Sequence, residues 1–213
     1  MLNKVIYFIR SKLLPNKLFL IDGNNRSKSI YLTFDDGPVN GITNDLIKLL
    51  DEYQAKATFF IIGKCAMSHP EIIKRIHSSG HTLANHSYSH PPFHKISIET
   101  KVSEIQKTNN VLKELIGENC TLFRAPQGRW NLRLLYSLFR LKITAVHWSR
   151  DSMDFLKEPP EKIVKRLIDN PLKSGDIVLF HDDDSRCIEA LRTLIPHWQA
   201  QGFTLSALEN IHS

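Results

Sequence analysis

The stretch IYLTFDDGP (residues 30–38) joins an apolar, β-rich run to two adjacent carboxylates and a Gly-Pro turn. The run from residue 30 to residue 34 has the length and composition of a buried strand. Similar runs recur to the end of the chain, and segments with helical periodicity lie between them. This alternation decides the fold.

The predicted strands cover residues 30–34, 57–62, 82–84, 122–123, 143–147, 176–180 and 203–205. The predicted helices cover residues 44–53, 71–78, 98–116, 132–139, 161–169 and 187–200. Repeated strand–helix–strand units imply parallel strands joined by crossover helices, either in a doubly wound sheet or in a barrel. The seven predicted strands favour the barrel over the doubly wound sheet, and the predicted fold is an α/β fold with a distorted (β/α) barrel, similar to a TIM barrel.

The chain has 213 residues, 42% of them apolar, which is enough for one substantial core. We therefore expect one catalytic domain over residues 26–213, preceded by an N-terminal segment of residues 1–25. The formal net charge of +6 favours an anionic partner such as a glycan, or simply a basic surface. Nucleic acid is not expected, because the sequence has no zinc-finger spacing and no aromatic RNA-binding signature.

The N-terminus has no signal-peptide core and no small-residue cleavage site, and we find no transmembrane segment in the sequence. We therefore expect a cytoplasmic enzyme. An alternative is that residues 5–14, which are basic and apolar, lie on the inner face of the membrane. The three cysteines are far apart and are expected to be reduced core residues. Nothing in the sequence indicates the oligomeric state.

Polar side chains follow the predicted strands. In a parallel barrel the active site gathers at the C-terminal ends of the strands, so these side chains should meet in one place. They are Asp35 and Asp36 after the first strand, His86 after the third, Arg124 after the fourth, Trp148 and Asp151 after the fifth and His181 after the sixth.

Two segments offer metal ligands. Asp35 and Asp36 are adjacent at a strand end and should point in different directions, so one carboxylate can bind a metal while the other faces the substrate. His86 and His90 are four residues apart and would face the same side on a single helical turn. Two histidines and one aspartate leave open coordination positions, as in a catalytic site. Taken singly, the same residues fit a capped turn and solvated turn histidines.

His181 follows an apolar strand and should protrude into the same mouth. Hydrolysis by an activated water needs a base to take the proton of the water and an acid to protonate the leaving group. Asp35 and His181 can fill those two roles. Considered alone, His181 is as well explained as a hydrogen-bonded structural residue, so the interpretation depends on the combination.

The chain resembles the polysaccharide deacetylases of the NodB-homology type, carbohydrate esterase family 4, which include chitooligosaccharide deacetylase. The resemblance covers about residues 30–208 and includes five motifs in the family's order. They are TFDDGP (33–38), HSYSH (86–90), RAPQG (124–128), DSMDF (151–155) and LFH (179–181). One such match would be weak, whereas five in order are specific.

The resemblance implies a role for each motif residue. Asp35 would be the general base and His181 the general acid, while Asp36, His86 and His90 would bind one divalent metal ion. Arg124 would hold the base, Asp151 would tune the acid, and Leu179 would line the slot for the acetyl methyl group. The nitrogen and oxygen ligands favour Zn²⁺, but Co²⁺, Ni²⁺ or Mn²⁺ would also fit such a site.

The chain departs from the family pattern at two positions in the substrate groove. Gln127 replaces a tyrosine whose backbone N–H is thought to stabilise the oxyanion, and a main-chain donor is kept by any residue. Phe155 replaces a tryptophan, which keeps an aromatic surface for a sugar ring. Trp148 and Trp130 are either sugar platforms or core residues. Residues 182–184, three aspartates, are expected to cap the next helix, with a second cation site as the alternative.

The sequence therefore predicts a metal-dependent hydrolase that removes N-acetyl groups from N-acetylglucosamine-type units of an oligo- or polysaccharide. An O-deacetylase of an acetylated glycan such as xylan would use the same site and is left open. A sugar-binding module that had lost activity is disfavoured, because it would have no need to keep the base, three ligands and acid together.

Overall fold

The computed structural model describes residues 15–25 and 27–208. Its strands are β1 (Phe19–Leu20), β2 (Ser29–Asp35), β3 (Ala57–Ile61), β4 (Thr82–Asn85), β5 (Leu122–Phe123), β6 (Thr144–Val146), β7 (Arg150–Asp151), β8 (Ile177–His181) and β9 (Thr204–Leu205). Its helices are α1 (Ile42–Glu52), α2 (Gly63–Ser68), α3 (Pro70–Ser78), α4 (Ile98–Ile116), α5 (Leu132–Arg140), α6 (Pro160–Asp169) and α7 (Arg186–Ala200).

The strands form one sheet in the order β1-β6-β5-β4-β3-β2-β8-β7, and β9 pairs with the start of β2. Every pairing between these strands is parallel. The predicted distorted (β/α) barrel is therefore confirmed, and all seven predicted strands are present within two residues of their expected bounds. The predicted helix over residues 98–116 is found with the same bounds, between the Ser97 cap and left-handed Gly117.

Three short elements were not predicted, namely β1, β7 and α2. Two-residue strands carry no periodicity, so a pattern search cannot detect them. β1 pairs with β6, which places Phe19 and Leu20 of the N-terminal segment in the sheet. Residues 1–14, including residues 5–14 of the membrane alternative, lie outside the described residues. None of the helices in the described ranges is long and apolar enough to cross a membrane.

The strands bury both of their faces, and β2 shows how. Ile30, Leu32 and Phe34 point outward into a core shared with the surrounding helices, where the Phe34 ring lies 5.2 Å from Phe59 and 6.0 Å from Phe180. Tyr31 faces the barrel interior, together with Phe60, Val146 and Ile177. Because side chains alternate along a strand, Thr33 and Asp35 share the inner face with Tyr31. The inner face of β2 therefore ends in a carboxylate at the mouth of the barrel.

Candidate active site

The C-terminal strand ends bring the predicted polar residues together. β2 and β8 are neighbours, and their register pairs Asp35 with His181. His86 directly follows β4 and its backbone N–H donates to the Ile61 carbonyl at the end of β3, at 2.9 Å. Arg124 directly follows β5 and is fully buried.

Asp36, His86 and His90 form a candidate metal site. One ligand atom from each lies within 4.8 Å of the others, and Oδ1 of Asp36 is 3.5 Å from Nε2 of His86 and 3.4 Å from Nε2 of His90. Asp36 Oδ1 is also shielded from solvent and has no hydrogen-bond partner among the described residues. A shielded carboxylate oxygen facing two imidazole nitrogens fits a divalent cation, because a buried polar atom needs a partner.

His86 is held in the orientation that a metal ligand requires. Its Nδ1–H donates to the Arg124 carbonyl at 2.9 Å, and because a carbonyl can only accept, the proton must be on Nδ1. Nε2 then keeps its lone pair for the ion. Burial lowers the pKa of His86 to about 3, although the negative charge of Asp36 acts to raise it. The ring therefore stays neutral.

The turn that carries the histidines differs from its prediction. We expected His86 and His90 on one helical turn, but residues 86–90 form an irregular turn with positive φ at Ser87 (69°) and His90 (51°). Glu104 holds this turn, because its Oε2 accepts the backbone N–H groups of Tyr88 at 3.0 Å and Ser89 at 2.7 Å. Asp36 also has a left-handed backbone, with a φ of 75°. This conformation is strained at residues other than glycine and is concentrated at functional sites.

Asp35 is in the position expected of a base. Its Oδ2 lies 3.6 Å from His86 Nε2, beside the candidate metal position, and its Oδ1 accepts a 2.7 Å hydrogen bond from Arg124. Burial raises the pKa of Asp35, and the charges of Arg124 and His181 oppose that rise. Two contacts fix the Arg124 guanidinium in turn. It donates a 2.8 Å hydrogen bond to Thr33 Oγ1, and its central carbon lies 4.0 Å from the centroid of the Phe60 ring.

The carboxylate that supports His181 is Asp154, and the assignment of this role to Asp151 was wrong. Nδ1–H of His181 donates to Asp154 Oδ1 at 2.7 Å, and the His181 backbone N–H donates to Asp154 Oδ2 at 2.8 Å. Burial alone would lower the pKa of His181. The hydrogen bond and charge of Asp154, together with Asp35 and Asp36, raise that pKa to about 9.

Asp151 lies in the turn before Asp154. Its Oδ1 accepts the Met153 N–H at 2.8 Å. Burial raises the pKa of Asp151, and the Met153 hydrogen bond, the charge of His181 and a hydrogen bond from Trp148 oppose that rise. The Trp148 ring packs on the interior cluster with its centroid 5.6 Å from the Arg124 guanidinium. The contacts of Trp148 are thus those of a residue of the barrel wall. Trp130 belongs to the core between the sheet and α5 and lies edge-on to Phe19 and Phe123.

Two further predicted substrate residues lie near His181, and a third, Gln127, follows Arg124 by three residues. Leu179 is buried two residues before His181 on the same face of β8. Phe155 is 55% exposed, and its ring lies edge-on to His181 with 6.2 Å between centroids. Gln127 is exposed on a tight turn and has a φ of 56°.

The three aspartates of residues 182–184 do not act together. Asp184 accepts the N–H of Arg186 at 2.9 Å just before α7, but the N-cap position belongs to Ser185, whose side chain makes no capping hydrogen bond, so the expected cap is not found. Asp182 is fully buried beneath the turn of residues 36–38, and its Oδ2 accepts a 2.7 Å hydrogen bond from Thr43. A Cβ added to Gly37 would lie 2.2 Å from both carboxylate oxygens of Asp182. Asp182 therefore supports the turn that carries Asp36, and the sequence pattern did not reveal this.

Comparison with known proteins defines the class. The polysaccharide deacetylase family model matches residues 22–146, which is more than half of the chain and includes the candidate metal ligands. The chain therefore belongs to the polysaccharide deacetylase family, as its motifs indicate. The motifs at 151–155 and 179–181 lie beyond the matched residues.

Particular relatives extend the comparison over most of the chain. A chitooligosaccharide deacetylase of Azorhizobium caulinodans is 32% identical over 195 residues, which cover 84% of this chain and 92% of the relative. The solved structure of a peptidoglycan N-acetylglucosamine deacetylase has a TM-score of 0.84 at 27% identity, covering 91% of this chain and 94% of that one.

A pseudoenzyme of the same esterase family, from Bacillus anthracis, has nearly the same fold. Its TM-score is 0.83 at 24% identity, and the match covers 89% of this chain and 66% of that chain. Similarity of fold alone therefore does not show activity. Activity depends on the geometry of the individual side chains in the site.

Proposed function

We propose that this chain is a metal-dependent hydrolase that removes N-acetyl groups from N-acetylglucosamine-type units of an oligo- or polysaccharide. One observation carries the proposal: Asp35, fixed by Arg124, lies beside the Asp36, His86 and His90 cluster, and His181 stands next to it on the neighbouring strand. The names of the similar proteins, which act on chitooligosaccharide and on peptidoglycan N-acetylglucosamine, support the substrate class.

Asp36, His86 and His90 would hold the metal ion. When bound, such an ion polarises a carbonyl and lowers the pKa of water. Two imidazole nitrogens and a carboxylate oxygen suit Zn²⁺, and Co²⁺, Ni²⁺ or Mn²⁺ would also fit because affinity alone separates these ions poorly.

The protein side chains would move two protons. Asp35 takes a proton from a water molecule while the oxygen of that water forms a bond to the acetamide carbonyl carbon. The hydrogen bond from Arg124 keeps the Asp35 carboxylate directed at the water. His181 enters protonated because Asp154 supports its imidazolium. As the carbon–nitrogen bond breaks, Nε2 of His181 gives its proton to the departing amine. The products are acetate and a free amino sugar.

The substrate would enter over Phe155 and Gln127 at the mouth of the barrel. Leu179 would contact the acetyl methyl group, and the Gln127 backbone N–H would donate to the oxygen that becomes negative during attack. Asp151 and Trp148 would shape the wall between the base and the acid. We assign Asp151 this supporting role, since Asp154 holds the acid.

Acetate release from defined substrates tests the proposal. The Zn²⁺-loaded protein should release acetate from N-acetylated chitooligosaccharides, and the replacement of Asp35 by Asn should abolish this release. Acetylated xylan provides the competing ester substrate. Acetate release from xylan alone would show that the protein is an O-deacetylase instead. If the metal-loaded protein released acetate from neither substrate, deacetylation of both glycans would be contradicted.

A further inference from the structure

The outer face of α5 carries apolar side chains where solvent is expected. Leu132, Tyr136 and Phe139 are 81%, 62% and 64% exposed. Their spacing of four and three residues places them in one stripe along the helix. The opposite face already contributes to the core through Leu134, Leu135 and Leu138. The stripe is therefore not required to hold α5 on the barrel.

The segment around this stripe is basic. Between Glu118 and Asp151 the sequence contains no acidic residue, whereas it contains six basic ones. Arg124 is buried in the active site and Arg150 pairs with Asp176. The four exposed basic residues that remain are Arg129, Arg133, Arg140 and Lys142.

A fifth exposed basic residue, Lys17, lies beside the end of α5. The Lys17 carbonyl accepts a 3.0 Å hydrogen bond from Thr144 Oγ1, so the exposed Lys17 lies next to the segment that contains Arg140 and Lys142. Glu99, at the start of α4, lies close enough to Arg133 for the two charges to interact. The positive charge is thus concentrated at the C-terminal end of the stripe.

We propose that this face, formed by Leu132, Tyr136 and Phe139 with Arg133, Arg140 and Lys142, docks on an anionic lipid membrane. Apolar side chains flanked by Arg and Lys match the boundary between acyl chains and negatively charged headgroups. A second copy of the chain fits less well, because a symmetric contact would bring the same basic residues together. The inference does not depend on deacetylase activity.

α5 links the parallel strands β5 and β6, so the stripe runs along the side of the barrel, from the end that holds the active site to the opposite end. α5 begins at Leu132, five residues after Gln127 at the mouth of the barrel. The apolar stripe therefore starts next to the substrate entrance.

Co-sedimentation of the full chain with lipid vesicles tests the proposal. Vesicles of phosphatidylcholine alone are compared with vesicles that also contain phosphatidylglycerol. We expect binding to the anionic vesicles only, and loss of that binding in high salt because salt screens surface charges. Absence of binding to the anionic vesicles would overturn the proposal.

Two sets of variants locate the surface. The combination Leu132→Ser, Tyr136→Ser and Phe139→Ser, and separately Arg133→Glu with Arg140→Glu, should each reduce vesicle partitioning at least ~10-fold. Two control variants change exposed residues of the same kinds elsewhere on the surface: Met67→Ser, and the pair Lys74→Glu with Lys165→Glu. Neither control should change vesicle partitioning. Unchanged thermal melting of every variant shows that the fold is kept.

Two results would contradict the assignment to α5. Vesicle binding that survives in the triple serine variant would place the membrane contact elsewhere, since residues 1–14 are present in every protein tested. A lipid-free dimer that becomes a monomer in the triple serine variant, with no vesicle binding by either protein, would identify the stripe as a contact between two copies.

Discussion

Asp154 holds His181 at two points, through the ring Nδ1 and through the backbone N–H of the same residue. The carboxylate thereby fixes both the tautomer and the orientation of the ring, and it leaves Nε2 directed away from itself. It also favours the imidazolium form, since the pKa of His181 is raised to about 9.

Replacing Asp154 by Asn should lower the pKa of His181, because the amide supplies no negative charge. A general acid works only when protonated, so the alkaline limb of the kcat/KM profile should move to lower pH by about one unit or more. Asp151→Asn is the matched control, since its carboxylate accepts from Met153 in the same turn. An equal shift in both variants would refute the specific role of Asp154.

Replacing Asp35 by Asn should reduce turnover by about 10²- to 10⁴-fold, as expected for the loss of a general base. Metal content, measured by elemental analysis, should stay unchanged because Asp36, His86 and His90 supply the candidate ligands. Asp169→Asn, at an exposed position in α6, controls for the substitution itself. Full activity of the Asp35 variant would show that another group takes the proton.

Removing the metal should abolish acetate release, and adding Zn²⁺ or Co²⁺ should restore it. The ion should also raise the melting temperature, because a ligand at 100 times its Kd stabilises a protein by about 2.7 kcal/mol. His90→Ala should remove most of this thermal shift, whereas His94→Ala, at an exposed position outside the cluster, should keep it. A thermal shift that is the same in both variants would place the ion elsewhere.

Replacing Gly37 by Ala should destabilise the protein by about 1–3 kcal/mol, because the new Cβ would overlap the Asp182 carboxylate at 2.2 Å. Activity should fall as well, since the displaced turn carries Asp36. Combining Gly37→Ala with Asp182→Ser makes room and should recover part of the stability in chemical denaturation. No recovery in the double variant would mean that the overlap with Asp182 is not the cause.

The same carboxylate explains why part of the site could not be predicted from sequence. Asp182 directly follows His181 and precedes a helix, so it was grouped with Asp184 as a helix cap. Its burial depends on the turn of residues 36–38, which is 145 positions away and separated from it by most of the barrel. Burial raises the pKa of Asp182 to about 7, a property that no local pattern indicates.

The strands and the main side chains were predictable because they depend on local composition. Buried parallel strands are short apolar runs, and the polar residue after each run must lie at the same end of the barrel. The choice between Asp151 and Asp154 was not predictable in this way. Both carboxylates lie in one irregular segment without strand or helix periodicity, and only the folded turn decides which one contacts His181.

The HSYSH turn shows a correct prediction reached by a wrong route. His86 and His90 do lie close enough to bind one metal ion. An irregular turn, with left-handed backbone at Ser87 and His90 and held by Glu104, brings them together, rather than a helical turn. Glu104 belongs to α4 and lies outside every motif. Its role depends on packing between α4 and the barrel mouth.

The order of the strands has a consequence for how the protein is made. β2 pairs with β3, which is synthesised early, and with β8 and β9, which are synthesised late. A ribosome-bound chain can expose Asp35, Asp36, His86 and His90 well before residue 181 has been translated. The proton donor arrives with β8, the strand that pairs along most of β2. Chains truncated before β8 would therefore carry the metal ligands but lack the acid.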